Sequence, residues 1–102
     1  MLNPDGYEYS RTGNGANRLW RKNRSLPPDD GSNCYGVDLN RNYDVVGYGV
    51  GASANPCSDT YKGLQPESQP EVAAASRVVL RHGPRIRVSL SLHSYGEFLM
   101  HT

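Results

Sequence analysis

The chain has 102 residues and a net charge of +1, enough for one small domain and no global field to draw in nucleic acid or an anionic membrane. Charged residues make up 21%, and eleven Gly and seven Pro accompany a mean hydropathy of −0.68, a polar, loop-rich composition with little aliphatic material for a core. Seven Tyr, one Trp and one Phe argue against disorder, and no apolar run approaches the roughly 20 residues of a membrane span.

Met1-Leu2-Asn3-Pro4-Asp5-Gly6 has no basic n-region and no apolar h-region, so it does not read as a signal peptide. Tyr7 and Tyr9 alternate with Glu8 and Ser10 before Gly13-Asn14-Gly15 breaks the pattern. Residues 3–15 are therefore expected to run turn, short strand, turn. Residues 17–24 form a basic segment, Arg18, Arg21, Lys22 and Arg24 around Trp20. One reading is a basic-aromatic patch for nucleic acid; the other is a solvated loop. Pro27-Pro28-Asp29-Asp30-Gly31 is a loop.

Tyr35-Gly36-Val37-Asp38-Leu39 alternates and reads as a strand or extended segment. It leads into Asn40-Arg41-Asn42. A guanidinium offers planar donors that match a carboxylate, and an adjacent amide adds another donor. Alone, such a triplet is equally a turn Asn beside a surface Arg. Residues 44–66 are glycine-rich and aperiodic, with Pro56 and Pro66, and are expected to be irregular coil. Cys34 and Cys57 bracket part of this stretch, either as two buried thiols or as one disulfide in an oxidising compartment. No CxxC or metal-type Cys/His spacing accompanies them.

Ser68-Gln69-Pro70-Glu71 reads as a capping box with Ser68 at the N-cap and Pro in the first turn. Val72, Ala75 and Val79 share a face, and Gly83-Pro84 is a stop, so a helix is expected over 69–82. Ile86, Val88, Leu90 and Leu92 then alternate with Arg87, Ser89, Ser91 and His93. Small serines on the second face suit a strand covered on both sides, and helix followed by strand argues for α/β architecture. His93 ends that strand, where open α/β sheets bind ligands. Both termini stop in mid-pattern, so the chain is expected to be part of a longer fold.

The order of these blocks resembles the zinc metallocarboxypeptidases of the pancreatic carboxypeptidase A/B type. The blocks are Asn3-Pro4-Asp5-Gly6-Tyr7, Asn17-Arg18-Leu19-Trp20-Arg21-Lys22-Asn23-Arg24, Gly36-Val37-Asp38-Leu39-Asn40-Arg41-Asn42 and Leu90-Ser91-Leu92-His93-Ser94-Tyr95. The resemblance implies that 1–102 is the central segment of one catalytic domain, a mixed-sheet α/β/α fold incomplete at both ends, with a long irregular loop region. It implies zinc-dependent removal of C-terminal amino acids from peptides. His93 looks like the third zinc ligand, Arg21 like the guanidinium that polarises the scissile carbonyl, and Asn40 and Arg41 like the clamp on the terminal carboxylate. Asp38 looks like the carboxylate that orients another zinc-bound His, and Tyr95 like a subsite contact. The Cys34–Cys57 pair falls where many secreted members carry a disulfide, which implies an extracellular protein. The expected partners are peptide and protein C-termini, with no nucleic acid and no membrane, and the complete domain is expected to be a monomer.

The family takes two zinc ligands from a His-x-x-Glu motif, and none occurs here: His82 precedes Gly83-Pro84-Arg85, and His93 has Gly96 at the matching position. The general-base Glu of the family has no counterpart either. A catalytic zinc takes three protein ligands, so the 102 residues alone are expected to be inactive. The alternative is a non-enzymatic remnant that binds peptide C-termini through Asn40 and Arg41.

Overall fold

The computed structural model describes residues 1–45 and 47–93. Its first element, α1 (Pro4–Ser10), is helical where turn and strand were expected. Asn3 caps it, with its side-chain Oδ1 accepting from Gly6 N at 3.1 Å; Pro4 opens the first turn and Asp5 lies within it. An amide cap, an early Pro and an early acid are all helix-start signals. They outweigh an alternation of only two tyrosines. Asn3 also donates from Nδ2 to Lys22 O at 3.2 Å, which docks the start of α1 on the basic segment.

The extended segments on either side of the Pro27-Pro28 loop run alongside each other. Asn23 N donates to Val37 O at 3.0 Å and Gly36 N to Ser25 O at 3.0 Å. Gly36 has φ +85°, and a Cβ there would collide with the Asn23 carbonyl, so close approach and left-handed backbone both require glycine. Cys34 and Cys57 form a disulfide across 23 residues, with Cα atoms 5.0 Å apart. Residues 47–67 are irregular, as expected, with one isolated parallel bridge between Ser53 and Tyr61.

The second helix, α2 (Pro70–His82), matches the expected span closely. Its cap differs. Gln69, not Ser68, is the N-cap, and no side chain caps the helix. Ser68 Oγ is instead taken by Asn42 Nδ2 at 2.9 Å, and Glu71 Oε1 by Asn23 Nδ2 at 3.1 Å. Tertiary contacts have recruited both members of the box. Gly83 stays right-handed (φ −43°, ψ −48°), and the chain tightens into a 3-10 turn at Gly83–Arg85 before it leaves the helix.

On α2, Val72 is buried, but Val79 on the same face is 57% exposed. The alternating run from Ile86 to Leu92 forms no ladder among the described residues. Among the described residues its backbone has no neighbouring strand to pair with, and pairing is what makes a strand. The buried apolar core is small: Val37, Tyr61 and Val72, beside buried Lys22, Asn23, Asp38, Asn42 and Gln69. No described helix is long and apolar enough to cross a membrane.

Candidate functional site

Asp38 opens a 3-10 turn over Leu39–Arg41, its Oδ1 accepting from Asn40 N at 3.1 Å. The turn closes through Arg41 N to Asp38 O at 2.9 Å and Asn42 N to Leu39 O at 3.2 Å. A short polar side chain that bonds the backbone two residues on is what an Asx turn requires. Asn40 and Arg41 therefore sit side by side on one tight turn, with Asn40 exposed and Arg41 half-buried.

Arg21 arrives from the opposite segment. Its Nε and Nη2 each lie 2.8 Å from Asp38 Oδ2. Arg41 Nε stands 3.8 Å from the same oxygen and, though buried, makes no hydrogen bond. One carboxylate, 3% exposed, thus binds the Arg21 guanidinium and faces that of Arg41. The trio carries a net positive charge in a partly desolvated place, where charge-assisted bonds are strong. Beside it a cavity of about 180 Å³ is walled by Asn40, Arg41, Tyr43, Tyr48 and Val50. Such an arrangement suits an anionic group entering beside Asn40 and Arg41.

Arg21, Asp38, Asn40 and Arg41 are thus brought together. The two oxygens of Asp38 meet Asn40 N and Arg21. His93 is exposed near the end of the described residues, and Tyr95 lies outside them. Among the described residues no three His, Cys, Asp or Glu side chains gather as a metal site would need. An imidazole is a fitting zinc donor, and His93 is the residue to which the resemblance gives that role.

Two cations of the basic segment, Arg24 and Lys22, turn inward, while Arg18 is exposed. Arg24 Cζ sits 3.8 Å from the Tyr9 ring centroid, 4.7 Å from Trp20 and 4.6 Å from Tyr35. Lys22 is 3% exposed, donates to Pro56 O at 2.6 Å and lies 5.8 Å from the Trp20 ring centroid. Burial pushes the Lys22 ammonium below its usual pKa range; Asp59 opposes that shift, and Arg24 adds to it. Cations stacked on aromatic faces and bonded to carbonyls act as internal struts, a structural use that the nucleic-acid reading did not anticipate.

The sequence reading missed Asn23 and Gln69 and gave Asn42 no role. All three are buried. Asn42 Nδ2 donates to Lys62 O (2.8 Å), Gln65 O (2.9 Å) and Ser68 Oγ (2.9 Å), and its Oδ1 accepts from Gln69 N (3.0 Å). Gly63, with φ +82°, lets this loop approach: a Cβ there would lie 2.9 Å from Asn42 Nδ2. The only sequence signal for Asn42 was its place directly after Arg41.

The profile of the family described as zinc carboxypeptidase matches residues 1–102. Carboxypeptidase A5 of Homo sapiens is 46% identical over 101 residues, covering 99% of this chain and 22% of that protein. Carboxypeptidase A2 of Mus musculus is 48% identical over 100 residues, covering 98% and 22%. The crystal structure of the carboxypeptidase A from Helicoverpa armigera superimposes with a TM-score of 0.83 at 38% identity, covering 94% of this chain and 22% of that one. The chain thus spans about a fifth of the length of these relatives, whose domains have an α/β fold.

Proposed function

The chain belongs to the zinc carboxypeptidase family, and on that premise we propose that the whole protein removes C-terminal residues from peptides. The observation that carries this reading is the shared Asp38 carboxylate, which sets Arg21 and the Asn40–Arg41 turn beside one another. Arg41 and Asn40 hold the substrate's terminal carboxylate. That anion loses water on binding, and a charged, hydrogen-bonded partner offsets the loss. Arg21 is fixed by Asp38 through Nε and Nη2, so its outer edge is aimed rather than mobile. It receives the negative charge that develops on the scissile carbonyl oxygen, a preorganised donor whose removal typically costs about 100–1000-fold in rate.

His93 contributes one nitrogen toward the zinc, and Tyr95 contacts the substrate upstream of the scissile bond. When bound, zinc supplies a Lewis acid and a water of lowered pKa. Asp38, having accepted from Asn40 N and Arg21, serves the clamp as well as any zinc-bound His it orients. Residues 1–102 form the central segment of one mixed-sheet α/β/α catalytic domain, in which the run 86–92 becomes a covered strand. The disulfide supports an extracellular setting. Partners are peptide and protein C-termini, and the complete domain works as a monomer without nucleic acid or membrane.

Two measurements test this. In the whole zinc-loaded protein, Arg41→Met should weaken binding of a free-acid peptide about 10–100-fold, the worth of hydrogen bonds to a charged group, and leave its C-terminal amide unaffected. Equal losses for acid and amide would remove the clamp. The 102-residue chain alone should show no chelator-sensitive turnover, and robust turnover would contradict a site that needs zinc ligands from beyond these residues.

A further inference from the structure

Behind the Asp38 cluster runs a second connection between the same two segments. Asn23 lies two positions after Arg21, and Asn42 directly after Arg41. Asn23 Oδ1 accepts from Val37 N at 2.8 Å, just ahead of Asp38. Its Nδ2 donates to Gln69 Oε1 at 2.9 Å. Gln69 N in turn donates to Asn42 Oδ1 at 3.0 Å. The path Val37–Asn23–Gln69–Asn42 therefore grips the turn that carries Asn40 and Arg41 at both of its ends, and passes through the N-cap of α2 between them. Asn23 is 2% exposed, Asn42 0% and Gln69 9%.

We infer that Asn23, Gln69 and Asn42 are positioning residues, a buried amide relay that fixes where Arg21 stands relative to the Asn40–Arg41 turn. The inference rests on the function proposed above. The forward link, Arg21 to Asp38, is made by a side chain that must also meet the substrate. One carboxylate at the base of a guanidinium that also carries the developing charge leaves the placement of Arg21 relative to the Asn40–Arg41 turn to a second connection. The rear link touches no substrate and stays whole throughout. Its amides are each used in two directions, as acceptor at oxygen and donor at nitrogen, so a change at one is felt at the next. Reactions held in near-attack geometry are sensitive to such placement: an error of about 1 Å costs up to about 100-fold.

Gln69 is the link to cut, because its backbone bond to Asn42 survives any side-chain change. The whole zinc-loaded protein is compared with Gln69→Leu, which removes one of the two acceptors of Asn23 Nδ2 and leaves Glu71 Oε1, and Gln69→Glu, which keeps both. Expected for Gln69→Leu is a kcat for a free-acid peptide about tenfold lower, with KM changed less than about twofold, since the carboxylate still finds Arg41. Gln69→Glu should return kcat to within about threefold of the unaltered protein even if Glu71 beside it lowers the melting temperature. A kcat unchanged by Gln69→Leu, or an equal loss in both variants, overturns the relay.

Amide exchange at Val37 and Asn42 gives a readout free of turnover. The Val37 amide should exchange about tenfold faster in Gln69→Leu, while Asn42, whose bond from Gln69 N survives, stays within about twofold; an unchanged Val37 overturns the coupling. If the unaltered protein neither cleaves nor prefers the acid over the amide, the proposed function falls, and the exchange result alone then decides the relay as a structural coupling.

Discussion

Around Asp38–Asn42 this chain buries polar side chains; between Val78 and Leu92 it leaves apolar ones outside. The first region meets its loop carbonyls and amides with Asn23, Asn42 and Gln69, through bonds that reach no further than the 48 positions from Asn23 to Glu71. In the second, Leu80, Leu90 and Leu92 are 81%, 85% and 97% exposed. The contrast follows from what each kind of interaction needs. An amide finishes its bonding with two or three partners, and these residues supply them. An apolar strand needs a second surface and a neighbouring backbone, and the described residues provide neither. A site built on polar loops can therefore assemble within a fifth of the relatives' length, while the sheet expected beneath it does not.

The largest effect should come from breaking the polar region at its centre. Asn42→Asp replaces the Nδ2 donor with an anion facing Lys62 O and Gln65 O. Gln65 O loses its donor, Lys62 O keeps only Tyr48 Oη, and a buried charge gains no cation, a loss of about 3 kcal/mol or more. Denaturant unfolding should show it, and an effect below about 1 kcal/mol would mean that the loop 62–69 is held by something other than Asn42.

Opening the disulfide should come next. Chain-entropy arguments give about 3 kcal/mol for a loop of this size, and Cys34→Ser with Cys57→Ser would measure it. The bond ties the extended segment ahead of Asp38 to the loop whose Tyr61 carbonyl accepts from Asp38 N at 2.8 Å. Loss of the free-acid preference should accompany the loss of stability. Retained preference in the serine variant would show that the amide contacts suffice.

A smaller effect is expected at alkaline pH. Burial, with a lesser push from Asp30, raises the Tyr61 phenol above its ordinary pKa. A folded pKa above the unfolded one means that its contribution is complete below about pH 10 and lost as pH rises through the folded value. Lys22 runs the other way: its folded pKa is lowered, so its buried charge costs stability at neutral pH, and the cost fades as pH climbs through that value. Tyr61→Phe should flatten the alkaline loss of stability, while leaving the neutral value nearly unchanged. A loss as steep as before would assign it to other groups.

Much of the site was legible because its chemistry is local. Asp38, Asn40 and Arg41 lie on one turn, and block order pointed to Arg21 as their companion. The helix was legible from its period and from Pro70. What stayed hidden depends on partners far along the chain. Asn23 looked like one polar residue in a basic run, because its acceptors at Gln69 and Glu71 lie more than forty positions away. Ser68 and Glu71 looked like a cap because the same side chains that cap a helix also serve tertiary amides. The Tyr7–Tyr9 alternation misled because two residues of period carry less free energy than the Asn3 cap and an early Pro.

The smallest effect in this chain belongs to the outward-facing region, and it separates the two regions most cleanly. Leu90 is 85% exposed, so Leu90→Lys should change the stability of the 102-residue chain by less than about 0.5 kcal/mol. In the whole protein the same substitution meets the covered strand proposed for 86–92. A lysine there is unpaired in an apolar layer and should cost several kcal/mol, or neutralise with a depressed pKa. Thermal melting of both forms, each with and without the substitution, gives the difference directly. A small effect in both would mean that the alternation of Ile86, Val88, Leu90 and Leu92 faces solvent in the complete fold.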